Sequence, residues 1–527
     1  MSQYDYIIVG GGSSGCVMAS RLSENPANRV LLIESGAKDN SPWIKIPATF
    51  FKVVEKGVDV VMYKGEQTDH LNKRDSFVLQ GHVIGGGSSV NAMLYIRGQA
   101  EDYDSWAENG CPSWSYQDVL PVFRDLENNM EFADEYHGTK GELHVSETGF
   151  HHPLSRAFIR AAQQTGIPPN QDFNGKVQAG VGFYQTTTYN GRRWSAADAF
   201  LRQAEGRSNL EIRTQTRVAK VAFDDKRASG VVLEDGSRIK AAKEVVLCAG
   251  AIETPRLLLL SGIGDAGHLK SHGIHVVVDL PGVGENYQDH LEANIQCYCK
   301  DPISIYRQDK GIKGAMHMLQ YQMFKTGLLT SNVVESGGFI DTSGSGRPDV
   351  QFHVLPFMVG WVDRAPVEQH GLSINPCFLR PKSRGSVKLR SANASDPALF
   401  DAGSFSDPDD LETMLRGTKK AIEIFKSPAL APLVTEFALP TPDKLDNDDA
   451  LRDFLRQTAK TVFHPVGTAK MGAASDPMAV VDTELKVHGV AGLRVADASV
   501  MPTLVSGNTN APTMMIAERA SRFMSGQ

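Results

Sequence analysis

The chain has 527 residues, 41% hydrophobic and 22% charged, with a formal net charge of −7 and no basic tract. That balance argues against a nucleic-acid-binding role, which needs a positive surface for phosphates, and the length allows more than one domain. Six cysteines form no disulfide framework or zinc spacing and are expected as small core residues, so no metal site is predicted.

The N-terminus MSQYDYIIVG starts a fold at once, without the basic stretch and cleavage site of a leader. No apolar run approaches the roughly 20 residues of a membrane span. A cytoplasmic protein without a transmembrane span is therefore expected, with peripheral contact on the inner membrane face left open. Tyr6 to Val9 reads as a buried parallel strand, because its apolar run does not alternate. Gly10, Gly12 and Gly15 then supply a tight turn, a close backbone approach and helix-on-strand packing. A helix begins near Cys16, RVLLI (29–33) reads as the second strand, and Glu34 ends it. A helix N-terminus holds a pyrophosphate through free N–H groups and its partial positive charge. A carboxylate at the end of the second strand accepts both ribose hydroxyls and repels a 2′-phosphate, which disfavours NADP. The unit predicts a dinucleotide without saying which one.

GHVIGGGSSVNAM (81–93) is a second glycine-rich loop, and PLSRAFIRAAQQTG is an amphipathic helix. LEIRT, KVAFDD, GVVLEDG and EVVLCAG read as strands within 210–250, followed by a turn and the helix of AIETPRLLLL. From about 300 to 460 alternating stretches such as VQFHVLP and SVKLRS, with helices such as DDLETMLRGTKKAIEIF, predict an antiparallel sheet with helices. Within it, GIKGAMHMLQYQMFKTGLL (311–329) spaces methionines and aromatics helically; packing on a core is the expected use, a substrate-entry helix or membrane-touching surface the alternative. LRVADASVMP gives a last strand, and NTNAPTMMIAERASRFM a loop and helix. The fold class is thus α/β: a Rossmann-like dinucleotide-binding domain (1–150, 210–300 and 462–527) interleaved with an α+β substrate domain (151–209 and 301–461).

Several blocks together resemble the glucose–methanol–choline (GMC) oxidoreductases, flavoproteins acting on alcohols. Residues 81–104, GHVIGGGSSVNAMLYIRGQAEDYD, are similar to the family's first signature, and 250–264, GAIETPRLLLLSGIG, fit the second. HPVGTAKMG (464–472) and DASVMPTLVSGNTNAPTMMIAERA (497–520) match its C-terminal catalytic region. The resemblance implies FAD. Gly10, Gly12, Ser13, Ser14, Gly15 and Glu34 would serve its ADP half and Val218 its adenine. Gly86, Asn91, Ala92, Met93 and Leu94 would lie along the isoalloxazine and ribityl, and Ala249, Gly250, Asp497, Ala498, Thr509 and Asn510 would close the site. Val90 stands where some members carry a histidine that attaches FAD covalently, so noncovalent FAD is expected. His82 stands where the signature usually has Arg or Lys.

Oxidising an alcohol removes a hydride from carbon, taken by the flavin, and a proton from oxygen, for which histidine suits neutral pH. By the resemblance His464 is the expected base, and Asn508 would bond the alcohol oxygen. Glu335 matches a carboxylate that lies near the trimethylammonium group in choline oxidases, and His353 a histidine lining their pocket. Phe357 and Trp361, with Phe339, Phe352 and Leu355, are candidates for apolar lining, with ordinary core packing the favoured use. The expected reaction is oxidation of an apolar or aromatic primary alcohol to the aldehyde, with electrons passed to a quinone-type acceptor. The alternatives are an oxidase giving H2O2 from O2, and a non-redox flavin-containing lyase.

Overall fold

The computed structural model describes residues 3–360 and 367–526; Trp361 lies outside the described residues. The apolar runs become the centre of a seven-stranded sheet. Strand β1 (Gln3–Val9) pairs in parallel with β2 (Val30–Ile33), Tyr6 opposite Val30, and Ile7, Ile8, Leu31 and Leu32 are wholly buried. β3 (Leu210–Arg213) lies parallel beyond β2. β4 (Val218–Asp224) and β5 (Arg227–Leu233) form an antiparallel meander with β6 (Arg238–Leu247). The last residues of β6 run parallel to β1 on one side, Leu247 opposite Val9, and to β7 (Leu493–Val495) on the other.

Helices start where the parallel strands end. α1 (Ser13–Leu22) follows β1 after three glycines, α2 (Gly250–Leu260) follows β6 after two residues, and α3 (Asn510–Ser525) follows β7 after a longer loop and packs on α1. Such a crevice beyond the strand C-termini is where open α/β sheets bind ligands. Gly15 sets the α1 contact: a Cβ there would come within 1.9 Å of the Gly10 carbonyl oxygen.

The second sheet has eight antiparallel strands. Its main path runs through Val434–Leu439, Ile295–Cys299, Gly371–Phe378, Val350–Leu355, Ser336–Ile340 and Gly180–Phe183. The short strands Leu291–Glu292 and Lys460–Thr461 extend it. Segments of the two sheets therefore alternate along the chain. Helices Pro153–Gln164 and Pro408–Phe425 cover one face, where Phe158 and Met414 share a core with Phe352 and Val354. The pleat sends the intervening residues Gln351, His353 and Leu355 to the other face. Phe352 is therefore core and not pocket lining, and Phe339 packs against Phe173 at 5.2 Å rather than lining a cavity. The six cysteines are all free, and all but half-buried Cys299 are buried. Helix Gly311–Phe324 departs from the packing expectation: its apolar row faces outward.

Gly15→Ala is expected to destabilise the protein by about 1–3 kcal/mol through overpacking and to lower the melting temperature in a thermal scan. An unaltered melting temperature would show that α1 and the Gly10 turn are not held at this distance.

Candidate active site

A cavity of about 1420 Å3 lies between the two sheets, larger than the roughly 300–1,000 Å3 usual for a small-molecule pocket. One end is made of backbone. Gly10 has φ 103°, and a Cβ there would lie 2.4 Å from the Cys248 carbonyl oxygen; a Cβ on Gly86, φ 49°, would lie 2.7 Å from the Gly12 Cα. Three turns thus meet main chain to main chain, as only glycine permits. The N-terminus of α1 has no side-chain cap, nor has that of α3. Ser13 Oγ donates to Asn510 Oδ1 at 2.8 Å, tying the two helix ends together. Free N–H groups there suit a diphosphate.

Gly10, Gly12, Ser13, Ser14, Glu34, Val218, Ala249 and Gly250 all line this end. Gly15 does not; it packs α1 on the turn. Glu34 accepts the N–H groups of Gly11 at 2.6 Å and Gly36 at 2.7 Å, while burial pushes its pKa up. A carboxylate has about four acceptor sites, so two bonded oxygens still accept ribose hydroxyls. His82 lines the cavity too and bonds the Ser35 hydroxyl at 3.0 Å, beside Glu34.

Gly86, Asn91, Ala92, Met93 and Leu94 line the middle, with Val90 beside them. Arg193, wholly buried, holds this loop: its guanidinium donates to Ser88 O at 3.0 Å and to Asn91 Oδ1 and Asn91 O, each at 2.7 Å. Burial lowers its pKa to about 9. Asp497, Ala498, Thr509 and Asn510 line the far side, and Asp497 Oδ2 accepts from Gly250 N at 2.8 Å and Thr254 Oγ1 at 2.6 Å, fixing α2 against the end of β7. The uncapped helix ends, glycine cradle and terminal carboxylate fit the FAD that the sequence implies.

The chemistry-bearing end contains His464 and Asn508, both lining the cavity. His464 Nε2 lies 3.1 Å from Asn508 Nδ2, and His464 Nδ1 lies 3.0 Å from His290 Nδ1. His290 Nε2 lies 2.8 Å from the Leu379 carbonyl, which can only accept. His290 Nε2 therefore carries the proton, its Nδ1 accepts, and His464 must donate from Nδ1. Gln351 Nε2 donates to Asn508 Oδ1 at 3.2 Å, so Asn508 presents its NH2 to His464. Both lines of bonds leave His464 Nε2 unprotonated at the cavity wall, with its lone pair accepting from Asn508 Nδ2. Asp289 accepts the His464 backbone N–H at 2.9 Å and Thr461 Oγ1. Desolvation, followed by repulsion from His290 and His353, puts the His464 pKa well below the usual 6.5, and burial puts His290 at about 4.

His353 lines the cavity and its Nδ1 bonds Glu292 Oε2 at 3.0 Å. Glu292 also accepts from Asn375 Nδ2 at 3.1 Å and pairs with Lys460 at 3.1 Å. Desolvation would raise the Glu292 pKa, but the Lys460 charge and the His353 bond hold it below the ordinary value. Phe357 lines the cavity edge-on to Phe51, with Leu355 nearby. Glu335 is a correction: it does not line the cavity. Its carboxylate is buried and accepts the His152 N–H and the Ser331 hydroxyl, each at 2.5 Å, tying two loops together.

His290, Glu292, Lys460, Gln351 and Arg193 were not singled out from sequence. DHLE carried a signal: Leu291 joins the helix-side core, so the polar residues on either side of it face the opposite way. Among the described residues one group, Asp134, His137 and Asp172, brings ligand-type atoms within 4.8 Å. The carboxylates of Asp172 and Glu127 outweigh desolvation and raise the His137 pKa to about 9.

Family models described as GMC oxidoreductase match residues 4–292 and 381–517. The chain is 43% identical to an alcohol dehydrogenase [acceptor] of Pseudomonas putida, covering 99% of this chain and 95% of that protein. It is 40% identical to an oxygen-dependent choline dehydrogenase of Brucella suis, over 99% and 96%. Pyridoxine 4-oxidase from Mesorbium loti superposes with a TM-score of 0.89 at 30% identity, over 99% of both chains. With a glycine-cradled cavity, matching models over most of its length and relatives aligned end to end, the chain belongs to the GMC oxidoreductase family.

Proposed function

We propose that the chain is an alcohol dehydrogenase with noncovalent FAD, oxidising a neutral primary alcohol to the aldehyde with His464 as base and passing electrons to a quinone-type acceptor. The observation that carries this is the His464–Asn508 pair, 3.1 Å apart on the cavity wall, with Nε2 left as an acceptor by the bonds behind it. An alcohol oxygen that replaces their direct bond can accept from Asn508 Nδ2 while donating to His464 Nε2. Bound in the cradle, FAD would supply the hydride acceptor. When His464 takes the proton, the positive imidazolium is shared with His290 through their Nδ1 contact. Leu379 O holds that second ring in place, and Asn508, steadied by Gln351, keeps the oxygen positioned.

The substrate's charge follows from Glu292. This carboxylate would attract a cationic alcohol, but Lys460 and His353 already engage it, so the wall is close to neutral. With Phe357 and Leu355 nearby, this favours a neutral, apolar or aromatic alcohol. Val90 carries no nucleophile at the position where a histidyl link would form, which favours reversible cofactor binding. The 43% identical relative whose name ends in "[acceptor]" supports a dehydrogenase, and the oxygen-dependent relative supports the oxidase alternative. A peroxide assay with and without a quinone dye separates them. Membership of an oxidoreductase family favours redox chemistry over a lyase.

Anaerobic mixing with a benzylic alcohol is expected to bleach the oxidised flavin bands, and His464→Ala to slow this by ~10²–10⁴-fold; an equal rate would remove His464 from the mechanism. A depressed base pKa keeps Nε2 unprotonated in mild acid, so kcat/KM should stay level as pH falls through 6.5 and drop only below it. A midpoint at or above 6.5 in the pH profile would contradict the buried neutral ring. Lys460→Gln should raise kcat/KM for choline relative to benzyl alcohol by roughly tenfold, about 1.4 kcal/mol. An unaltered ratio in paired steady-state assays would remove the ion pair as the selector.

A further inference from the structure

Helix Gly311–Phe324 has its amphipathic character reversed. Ile312, Met316, Leu319 and Met323 are spaced by four, three and four residues, which puts them within an arc of about 60°. They are 80%, 65%, 60% and 63% exposed, and Phe324 extends the patch at 65%. The opposite side carries buried Tyr321, while Gly314, His317 and Met318 line the cavity. Half of the strongly exposed large apolar side chains among the described residues thus sit on these 14 residues. Surface helices normally show the reverse, an apolar stripe toward the core and polar residues toward water. A patch of this kind marks an interaction site.

Charge identifies the occupant. The helix contains no Asp or Glu; Lys313 lies on it, and Lys310 and Lys325 flank it, all exposed. Asp309, the acid just before it, is paired with Lys52 at 2.9 Å and Lys310 at 3.8 Å. A basic edge around an apolar row, on a chain of net charge −7, is complementary to an anionic surface with an apolar interior. A second copy of the chain fits less well, because a two-fold contact would bring the same lysines against one another.

We propose that this face docks on an anionic lipid bilayer, with the helix lying in the headgroup layer and its apolar row at the acyl boundary. No helix among the described residues is long and apolar enough to cross a membrane, so the contact is peripheral. Because the inner side of the same helix lines the cavity, docking sets this wall of the cavity against the bilayer, the side from which lipid-soluble alcohols or acceptors would then approach. The inference rests on exposure and charge and holds whichever alcohol is oxidised.

The test is sedimentation of the holoprotein with vesicles of phosphatidylcholine plus phosphatidylglycerol, and of phosphatidylcholine alone. Binding to the anionic vesicles at low salt, weakening as salt is raised, is expected. Lys313→Gln with Lys325→Gln should weaken it on the order of 30-fold. Ile312→Ser, Met316→Ser, Leu319→Ser and Met323→Ser together should abolish it, while flavin content and turnover of a water-soluble alcohol with a soluble dye are retained. The lysine variant keeps the test independent of any folding defect in the fourfold variant. Absence of binding to anionic vesicles, or equal binding to neutral ones, overturns the proposal. So does a wild-type oligomer in sedimentation velocity that the fourfold variant converts to monomer, since a second copy would then be the occupant.

Discussion

The main-chain contact of three glycine turns is the constraint on which the rest of this structure depends. Gly10 lies against Cys248, Gly86 lies over Gly12, and Gly15 lies against Gly10, each closer than a methyl group would allow. This brings segments of the first ninety residues and of the middle of the chain to one point. The N-termini of α1 and α3 join them there through the Ser13–Asn510 bond, and α2 through Asp497. A wider approach would separate the helix ends from the cradle and dilute their combined field, which falls off within the first turn.

The second sheet serves the first by lending it one face. Its helix-covered side is a conventional apolar core, and that core fixes the strands well enough for the opposite side to carry polar groups away from water. Gln351, His353, Glu292 and Asn375 all project from that side and are buried, and each makes at least one hydrogen bond, while Gln351 Oε1 and Asn375 Oδ1 have no hydrogen-bond partner among the described residues. Unpaired polar groups at such a site would be costly. Paired ones restrict one another's rotamers and tautomers. The resulting chain from Leu379 to Asn508 does by hydrogen bonding what a single imidazole in water cannot, holding one ring nitrogen free of protons and aimed in one direction.

Burial also sets the protonation states. Desolvation is the largest influence on His464, His290, Arg193 and Asp289, and it works against the charged form in each. For the imidazoles this favours the neutral ring. For Glu292 the nearby Lys460 charge and His353 bond outweigh it, so one ion pair persists where the surrounding groups are otherwise driven toward neutrality.

Local sequence determined the strand–glycine–helix unit, the alternation of two architectures along the chain and the motif blocks that hold His464 and Asn508. These are short-range properties: strand and helix periods, turns that need glycine, and a few residues in fixed order. Only the tertiary structure decided what stands behind His464, because His290 is 174 positions away along the chain and the Leu379 carbonyl has no side-chain signature at all. It also decided that Glu335 ties loops while Glu292 faces the cavity: both are glutamates near strand ends, and the pleat and the neighbouring loop choose which side each takes. The helix at 311–324 makes the same point from outside. Its spacing specifies an apolar row, but whether that row meets a core or a solvent-facing surface depends on what packs against the helix, and Tyr321 turns the row outward.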